Sequence, residues 1–311
     1  MKKIYENNPE YDLLNSYFDK YEKYAFTTSK YKSSEQFEGY ITRLYHMIEK
    51  GLAYIDYRPG FGKANIDQLL EALEQYSMFN DISAEFYETA LSVLFAYIEK
   101  NKQFGVEDVE LEERIKRLPG RANDEGGIIK FTPLKYTQNA DFKTLIKERH
   151  SIRHFSDEKV DLQILKDAIQ LAQFTPSACN RQGWKTRIIV NKDKIKEVLS
   201  NQNGNRGFGN EIDKLLIITS DLRYSNRERE VFQSFIDGGM YAMNIINSLA
   251  YYGVAHIPLS ASLTPEQDNE VRHIVDIDES EVLILIIGVG NYPDECQTTR
   301  SQRRIVNPEV I

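Results

Sequence analysis

Residues 149–154 place two arginines and a serine at alternate positions. Arg149, Ser151 and Arg153 are spaced i, i+2 and i+4, so their side chains share one face wherever this segment is extended. A guanidinium group stays charged when it is desolvated and donates hydrogen bonds in a planar fork, and two of them beside a hydroxyl suit a phosphate. The alternative is a solvated basic turn beside a helix, and the spacing by itself leaves both interpretations open.

Two further clusters carry polar groups that could bind a ligand. Residues 176–184 read PSACNRQGW and join a predicted helix to a predicted strand. Small residues and side-chain amides there could hydrogen-bond the edge of a flat heterocycle, or the segment is an ordinary loop with Trp184 in the core. Residues 299–304 read TRSQRR. These arginines are either part of a solvated chain end or the remainder of an anion site begun at Arg149 and Arg153.

Other familiar signatures are incomplete. Residues 288–293, GVGNYP, follow a predicted strand but lack the third glycine of a dinucleotide fingerprint, and neither a P-loop nor a GxSxG elbow occurs. His46 and Glu49 stand at i, i+3 on a predicted helix, but without a second such pair we expect no metal site. Cys179 has no evident histidine partner, which favours a packed small residue over a nucleophile.

The composition describes a soluble globular protein. The 311 residues are 41% hydrophobic and 28% charged, with a net charge of −8 that argues against nonspecific binding to nucleic acid or to an anionic membrane. Two cysteines are too few for a disulfide framework or a structural zinc site. No apolar segment follows the lysines at the start of the chain, and the longest apolar run, 282–289, is too short for a bilayer. We therefore expect a cytoplasmic protein.

Hydrophobic periodicity divides the chain near residue 130. Helical patterns dominate before it, as at 34–52, 83–100 and 106–118, and a connector rich in glycine and proline follows. After it, helices alternate with predicted strands at 184–190, 215–219 and 282–289. A long helix from about 227 to 252 contains Gly238-Gly239, a pair that usually permits close approach of another backbone or a ligand. The predicted domains are a helical N-terminal extension, 1–130, and a mixed domain, 131–311.

Taken in order, these motifs resemble the FMN-dependent nitroreductase family. Residues 149–155, RHSIRHF, are similar to its R-R-S-[IV]-R-x-F signature, and 176–184 are similar to its P-S-x-x-N-x-Q-P-W loop. Asp237-Gly238-Gly239 resembles the D-x-G opening of its long central helix. Residues 288–293 and the arginines at 300–304 resemble its closing G-x-G-Y-P and basic tail. The resemblance covers roughly residues 140–311, and the helical extension is absent from minimal members of the family.

The resemblance implies an α+β fold, with a mostly antiparallel central sheet flanked by helices, and a homodimer with FMN bound at the subunit interface. Arg149, Ser151 and Arg153 would hold the phosphate and ribityl chain. The residues that the resemblance assigns to the flavin are Arg149, His150, Ser151, Arg153, Pro176, Ser177, Ala178, Asn180, Gln182, Asn205, Leu259, Ser260, Arg300 and Arg303. The residues at 176–182 would reach the flavin from the partner subunit.

The implied activity is that of an FMN-dependent oxidoreductase with ping-pong kinetics. Hydride would pass from NADH or NADPH through flavin N5 to a small organic acceptor, so no catalytic side chain is expected. Two departures from the family pattern stand out. Gly183 replaces a proline, which predicts a looser loop, and Leu259-Ser260 replace a glutamate–glycine pair. The alternatives are a flavin- or phosphate-binding sensor or scaffold without turnover, and a dehydrogenase or dehalogenase of the same fold.

Overall fold

The computed structural model describes residues 14–15, 34–131, 141–224 and 230–311. The sequence also has a helical pattern at 9–26, which lies almost wholly outside these ranges. In chain order, the helices are α1 (Ser34–Leu52), α2 (Lys63–Ser77), α3 (Glu85–Gln103), α4 (Val109–Arg117), α5 (Phe142–Glu148), α6 (Leu162–Ala172), α7 (Lys192–Asn201), α8 (Gln233–Tyr251) and α9 (Pro265–Val275). The strands are β1 (Ile128–Phe131), β2 (Trp184–Ile189), β3 (Lys214–Asp221), β4 (Ala255–Ser260), β5 (Glu281–Gly290) and β6 (Cys296–Thr299).

The chain forms two compact units. Over the described residues, one lies within Phe131–Cys296, and the other combines parts of Asn15–Lys130 with Gln297–Ile311. Sequence analysis assigned the tail to the second domain, whereas in the structure it lies with the helices. Backbone pairing explains this placement, because β6 pairs with β1 and the Arg300 amide donates to the Gly127 carbonyl at 3.2 Å.

The helical unit packs the apolar faces of α1, α2 and α3 into one core. The predicted helices at 34–52 and 83–100 are confirmed, because both segments present apolar side chains at helical spacing. Gly51, near the end of α1, lies against the Phe61 ring, where an added Cβ would come within 2.0 Å of a ring carbon. Tyr97 of α3 holds the same loop by donating its hydroxyl to the Phe61 carbonyl at 2.8 Å.

The mixed unit is built on an antiparallel four-stranded sheet with the order β2-β3-β5-β4. All eight residues of β3 are buried, as expected of a central strand. Helices α6 and α8 pack on this sheet through a shared apolar cluster that includes Leu165, Tyr241 and Ile245. Helices together with an antiparallel sheet confirm the predicted α+β class.

The three predicted strands are confirmed with small changes at their ends, but β4 was not predicted. Its sequence, AHIPLS, contains Pro258 and lacks a clear alternation of polar and apolar residues. Proline is tolerated here because β4 is an edge strand, where one row of backbone groups needs no partner strand. Within the described ranges, none of the helices combines the length and apolar character that a bilayer crossing requires.

The paired glycines of α8 differ in their surroundings. A Cβ at Gly238 would approach the side chain of Ile284 of β5 to 2.7 Å, so this glycine allows the helix to pack closely on a side chain of the sheet. At Gly239 no atom lies within 4 Å of such a Cβ. The first described residue of this helix is Gln233, and the predicted start near 227 falls outside the described residues.

A buried carboxylate joins three strands at one end of the sheet. Glu281 of β5 is 1% exposed and accepts hydrogen bonds from Lys185 at 2.7 Å and from both terminal nitrogens of Arg187 at 2.7 and 3.0 Å. Thr219 of β3 donates its hydroxyl to the same carboxylate. Burial alone would raise the pKa of Glu281, but these donors outweigh it and lower the pKa to about 2.

We expect the Glu281→Gln substitution to lower the free energy of unfolding at pH 7 by about 2 kcal/mol, because Arg187 and Lys185 lose their shared counter-charge. Trp184 is the only tryptophan in the chain and precedes Lys185, so its fluorescence in urea reports unfolding of this unit. The control is Glu270→Gln on the exposed side of α9. Equal urea midpoints for both variants would remove Glu281 from the determinants of stability.

The same substitution should change the dependence of stability on pH. The pKa of Glu281 lies at about 2 in the folded protein, below its ordinary value of 4.5. Its stabilisation is therefore complete above pH 4.5 and is lost as the pH falls from 4.5 towards 2. Over this interval the wild type should lose more stability than Glu281→Gln, and Glu270→Gln should follow the wild type. Parallel acid-denaturation curves for wild type and Glu281→Gln would contradict this.

Two glycines of α1 provide a matched test of packing in the helical unit. Gly51→Ala should destabilise this unit by about 1–3 kcal/mol, because the new methyl group displaces the Phe61 ring. Gly39→Ala should stabilise it by about 0.5–1 kcal/mol, because no atom lies within 4 Å of the new Cβ and alanine favours the helix. Thermal unfolding followed by circular dichroism at 222 nm measures both. Stabilisation by Gly51→Ala would show that the Phe61 contact is unimportant.

Candidate functional site

The segment 149–160 has no regular structure and is held by the mixed unit at several points. The Ile152 amide donates to the His256 carbonyl of β4 at 2.9 Å, and Ser156 bridges to Asn291. Ile152 is 2% exposed. Backbone groups of a buried extended segment need hydrogen-bond partners, and the sheet edge provides them. The segment therefore has a fixed path along β4 and the end of β5.

Carboxylates fix the second half of this segment. Glu211 accepts from the Phe155 amide at 3.0 Å and pairs with the His154 ring at 2.7 Å. Asp213 accepts from the Val160 amide at 2.9 Å. The pKa of Asp213 is lowered, since hydrogen bonds from Lys214 and the Val160 amide outweigh the effect of burial. Sequence analysis did not identify these anchors, because they lie about 50 residues away along the chain.

The three predicted phosphate-binding side chains begin where α5 ends. Arg149 is the C-cap of this helix in extended geometry, and its amide donates to the Leu145 carbonyl at 3.1 Å. Arg149, Ser151 and Arg153 are all half-buried, whereas the intervening Ile152 is in the core. His150 and His154 are half-buried as well, so that Ile152 is the one buried residue between 149 and 154. His150 is half-buried and its ring lies 4.8 Å from that of Phe131.

The loop at 176–183 has an unusual backbone. Cys179, Asn180 and Gln182 have φ values of 51°, 57° and 50°, in the left-handed region that non-glycine residues rarely adopt. Such strain persists only where surrounding contacts impose it, and it clusters at functional sites. Pro176, Cys179, Asn180 and Gln182 are exposed, which leaves them accessible to a ligand or a second chain.

Side-chain hydrogen bonds impose this conformation. Ser177 accepts from the Gln182 amide at 3.0 Å, and Gln182 donates its side-chain amide back to the Asn180 carbonyl at 3.0 Å. Asp237 of α8 is 7% exposed and accepts from the Ala178 amide at 3.2 Å. Asn244, two turns further along α8, donates to the Thr175 hydroxyl at 2.6 Å. The aspartate of the D-x-G motif thus positions the loop.

The looser loop expected from Gly183 is not found. Gly183 is buried, its carbonyl accepts from the Asp221 amide at 2.8 Å, and an added Cβ would come within 3.0 Å of Tyr224. The next residue, Trp184, donates its indole N–H to Gln173 at 3.0 Å and stacks on Tyr241 with ring centroids 4.7 Å apart. Trp184 is therefore a core residue, as the simpler interpretation of this cluster proposed.

Asn205 has its side-chain nitrogen occupied within its own turn. It donates to the carbonyls of Leu199 at 2.7 Å and Gln202 at 2.5 Å. Those carbonyls lie at the end of α7, so that Asn205 closes this helix. It also lines a cavity of about 380 Å³ together with residues of α7 and the turn at 209–212. Because the side-chain nitrogen of Asn205 is already used, its predicted contact with the flavin would have to be made by its side-chain oxygen.

Leu259 and Ser260 end β4 with opposite orientations. Leu259 is 3% exposed and is a core residue, so its side chain is not available to a ligand. Ser260 is exposed, its hydroxyl accepts from the Ser262 amide at 3.0 Å, and its carbonyl accepts from the Gln202 side chain at 3.1 Å. Alternation along the strand explains the difference, and of the two side chains only that of Ser260 can contact a ligand.

Arg300 and Arg303 belong to the helical unit. The Arg300 guanidinium donates to the Asp124 carbonyl, and that of Arg303 donates to the Ser301 carbonyl at 3.0 Å. Arg304 pairs with Glu38 of α1 at 3.4 Å. All of these contacts are made within the helical unit. The binding of phosphate by Arg300 and Arg303 stays a prediction.

The alternative chemistries that sequence analysis weighed have structural explanations. The His46 ring lies 3.1 Å from the carboxylate of Glu49, which is buried and accepts from the Gly127 amide at 3.1 Å. Among the described residues, no group of three or more His, Cys, Asp or Glu side chains could hold a metal ion. Cys179 and Cys296 are free thiols. Cys179 is exposed, which corrects its interpretation as a packed residue, and burial raises the pKa of Cys296 to about 11.

Comparisons with known proteins converge on the segment that forms this site. The Nitroreductase family model matches residues 146–203, which contain both the 149–160 segment and the 176–183 loop. A Streptococcus pyogenes protein that carries an NAD(P)H nitroreductase name is 27% identical over 187 residues, which cover 50% of this chain and 90% of that protein. The iodotyrosine deiodinase of Hydra vulgaris is 18% identical over 275 residues, covering 75% of this chain and 99% of the deiodinase.

Among solved structures, an FMN-dependent nitroreductase from Clostridium difficile is 18% identical and gives a TM-score of 0.42 over 47% of this chain and 85% of its own. The assignment of this chain rests on the matched segment and on the curated relatives. By these matches the chain is similar to members of the nitroreductase family, with the family model matched over residues 146–203.

Proposed function

We propose that this protein is an FMN-dependent oxidoreductase that takes electrons from NADH or NADPH and passes them to a small organic acceptor. The observation that carries the proposal is the position of Arg149, Ser151 and Arg153, half-buried on a segment that the edge of the sheet holds in place. This segment lies within the residues that match the family model. The names of the related nitroreductases support the redox chemistry.

The donor set fits the phosphate of a mononucleotide. Two guanidinium groups and one hydroxyl provide charge and directed hydrogen bonds to phosphate oxygens, and half-burial strengthens those interactions relative to bulk water. Ser260 and the exposed amides of Asn180 and Gln182 are polar groups suited to the edge of a flavin. Bound FMN would supply the redox centre, because the side chains of this site include no group that accepts a hydride.

The side chains of the site would bind the FMN and orient its ring. Arg149 and Arg153 would hold the phosphate, with Ser151 beside them. Donor groups that Asp237 and Ser177 fix in place would orient the ring without reorganisation during turnover. No side chain is assigned as a nucleophile.

We further propose a homodimer in which α8 contributes to the interface. Its exposed side includes Ile236, Met240 and Met243, which are spaced at i, i+4 and i+7 and are between 40% and 53% exposed. Phe174, at the end of α6, is 86% exposed. Apolar side chains that share one helix face are typical of an interface rather than a solvated surface. In such a dimer the exposed loop at 176–182 would reach the flavin of the other subunit.

The first test is the binding of FMN. Protein freed of any bound flavin and then titrated with FMN should bind it, and Arg153→Ala should weaken that binding tenfold or more, on the order of 1.4 kcal/mol or above. Lys159→Ala is the control, because Lys159 is exposed and ten residues past Arg149 in the same segment. Protein that binds no FMN would defeat the proposal, and unchanged affinity in Arg153→Ala would remove Arg153 from the site.

The same FMN-loaded protein distinguishes an enzyme from a flavin-binding scaffold without turnover. The scaffold is favoured by the replacement of the family's glutamate–glycine pair by Leu259-Ser260. Rapid mixing of the FMN-loaded protein with NADH or NADPH should bleach the flavin absorbance within seconds. A flavin band that persists in excess of both donors would support the scaffold.

The dimer is tested by a charge on its proposed interface. Met240→Asp should shift the protein from dimer to monomer in analytical ultracentrifugation, because burying an unpaired carboxylate is unfavourable. Asn269→Asp, on the exposed surface of α9, is the control and should leave the assembly unchanged. A wild-type protein that sediments as a monomer would overturn the proposed assembly.

A further inference from the structure

His256 occupies a position that the proposed binding site does not yet explain. It lies on β4 and is completely buried. Its backbone carbonyl accepts a hydrogen bond of 2.9 Å from the Ile152 amide. This contact joins the backbone of His256 to the segment that carries Arg149 and Arg153. A buried imidazole needs partners for both ring nitrogens, and each unmet one is costly.

The hydrogen bonds of His256 define its tautomer. Nδ1 lies 2.8 Å from the Val254 carbonyl oxygen, and since a carbonyl can only accept, Nδ1 carries the proton. Nε2 then presents a lone pair when the ring is neutral. Within the part of the chain that the structure describes, Nε2 is buried and has no hydrogen-bond partner.

Electrostatics keep the ring neutral and identify its cationic neighbour. Burial lowers the pKa of His256 to about 4, the Val254 carbonyl partly opposes this, and the charge of Arg149 lowers the pKa further. Arg149 also acts on Tyr292, just beyond β5, where it partly offsets the effect of burial that raises the pKa of this phenol to about 12. The charge of Arg149 therefore acts on the imidazole of His256 as well as on the phenol of Tyr292.

We propose that His256 is a positioning residue of the phosphate site, whose Nε2 accepts a hydrogen bond from the Arg149 guanidinium when FMN is bound. A guanidinium group has five N–H donors, so one can be given to Nε2 while others face the phosphate. A neutral acceptor fixes the orientation of the fork without neutralising the charge that the phosphate requires. The inference rests on the proposed function, because it assigns His256 a part in the same site.

The test compares FMN with riboflavin, which lacks the phosphate. His256→Asn retains a donor for the Val254 carbonyl but has no acceptor at the position of Nε2, and it should weaken FMN binding about tenfold while changing riboflavin binding less than about twofold. His256→Gln can place an amide oxygen near the position of Nε2 and should retain most of the preference for FMN. A change that only loosens the fold would weaken both flavins equally.

A double-mutant cycle isolates the contact with Arg149. In an Arg149→Ala background, His256→Asn should have no further effect on the preference for FMN over riboflavin. The control is Ile257→Val, which makes a small cavity at the next residue of β4 and should leave this preference unchanged. Parallel losses of FMN and riboflavin affinity in His256→Asn, or additive effects with Arg149→Ala, would overturn the role of His256.

A measurement on the wild type covers the case in which His256→Asn fails to fold. In protein labelled with ¹⁵N-histidine, the Nε2 resonance of His256 should move on addition of FMN but not of riboflavin, and an unmoved resonance would overturn the role.

The two proposals fail differently. A wild type that binds neither flavin overturns the proposed function together with this role, whereas a wild type that binds FMN with an unmoved Nε2 resonance overturns only the role of His256.

Discussion

The open edge of β4 is the constraint on which the candidate site depends. In the order β2-β3-β5-β4, only one side of β4 is paired, and its outer row of backbone groups requires partners. The 149–160 segment has the complementary need, because it is partly buried yet forms no regular structure. The hydrogen bond from the Ile152 amide to the His256 carbonyl meets both needs. The residues on either side of the buried Ile152, Ser151 and Arg153, are half-buried.

A second constraint acts on the loop at 176–183, where three non-glycine residues hold positive φ values. The conformational strain of that backbone is offset by hydrogen bonds to rigid neighbours, since Asp237 and Asn244 belong to a helix packed on the sheet. Gly238 allows this helix to lie close to β5. The positions of exposed polar groups in the loop therefore follow from packing in the core, which is how a site can be organised before a ligand arrives.

Two buried ionisable groups of the mixed unit have different surroundings. Glu281 is matched by Lys185 and Arg187 within the same sheet, and its low pKa reflects an interaction that is complete in the folded chain. His256 is instead neutral and keeps one buried nitrogen without a partner among the described residues. A satisfied network contributes to stability, whereas a buried polar group without a partner is a candidate for a functional role.

The sequence by itself predicted the helices at 34–52 and 83–100, three of the four strands of the larger sheet and the motifs of the site, because helical periodicity, long apolar runs and short polar signatures are local. The α+β class was implied by the resemblance of those motifs to a known family. It also predicted that Arg149, Ser151 and Arg153 share one face of an extended segment. Only the tertiary structure decided that β4 is a strand, that Leu259 is in the core, and that the tail lies with the helices. Those outcomes depend on which distant backbone groups pair, as when Glu211 and His256 hold a segment more than 50 residues away. Pairing over such distances is set by packing and hydrogen bonding in the folded chain, and no local pattern records it.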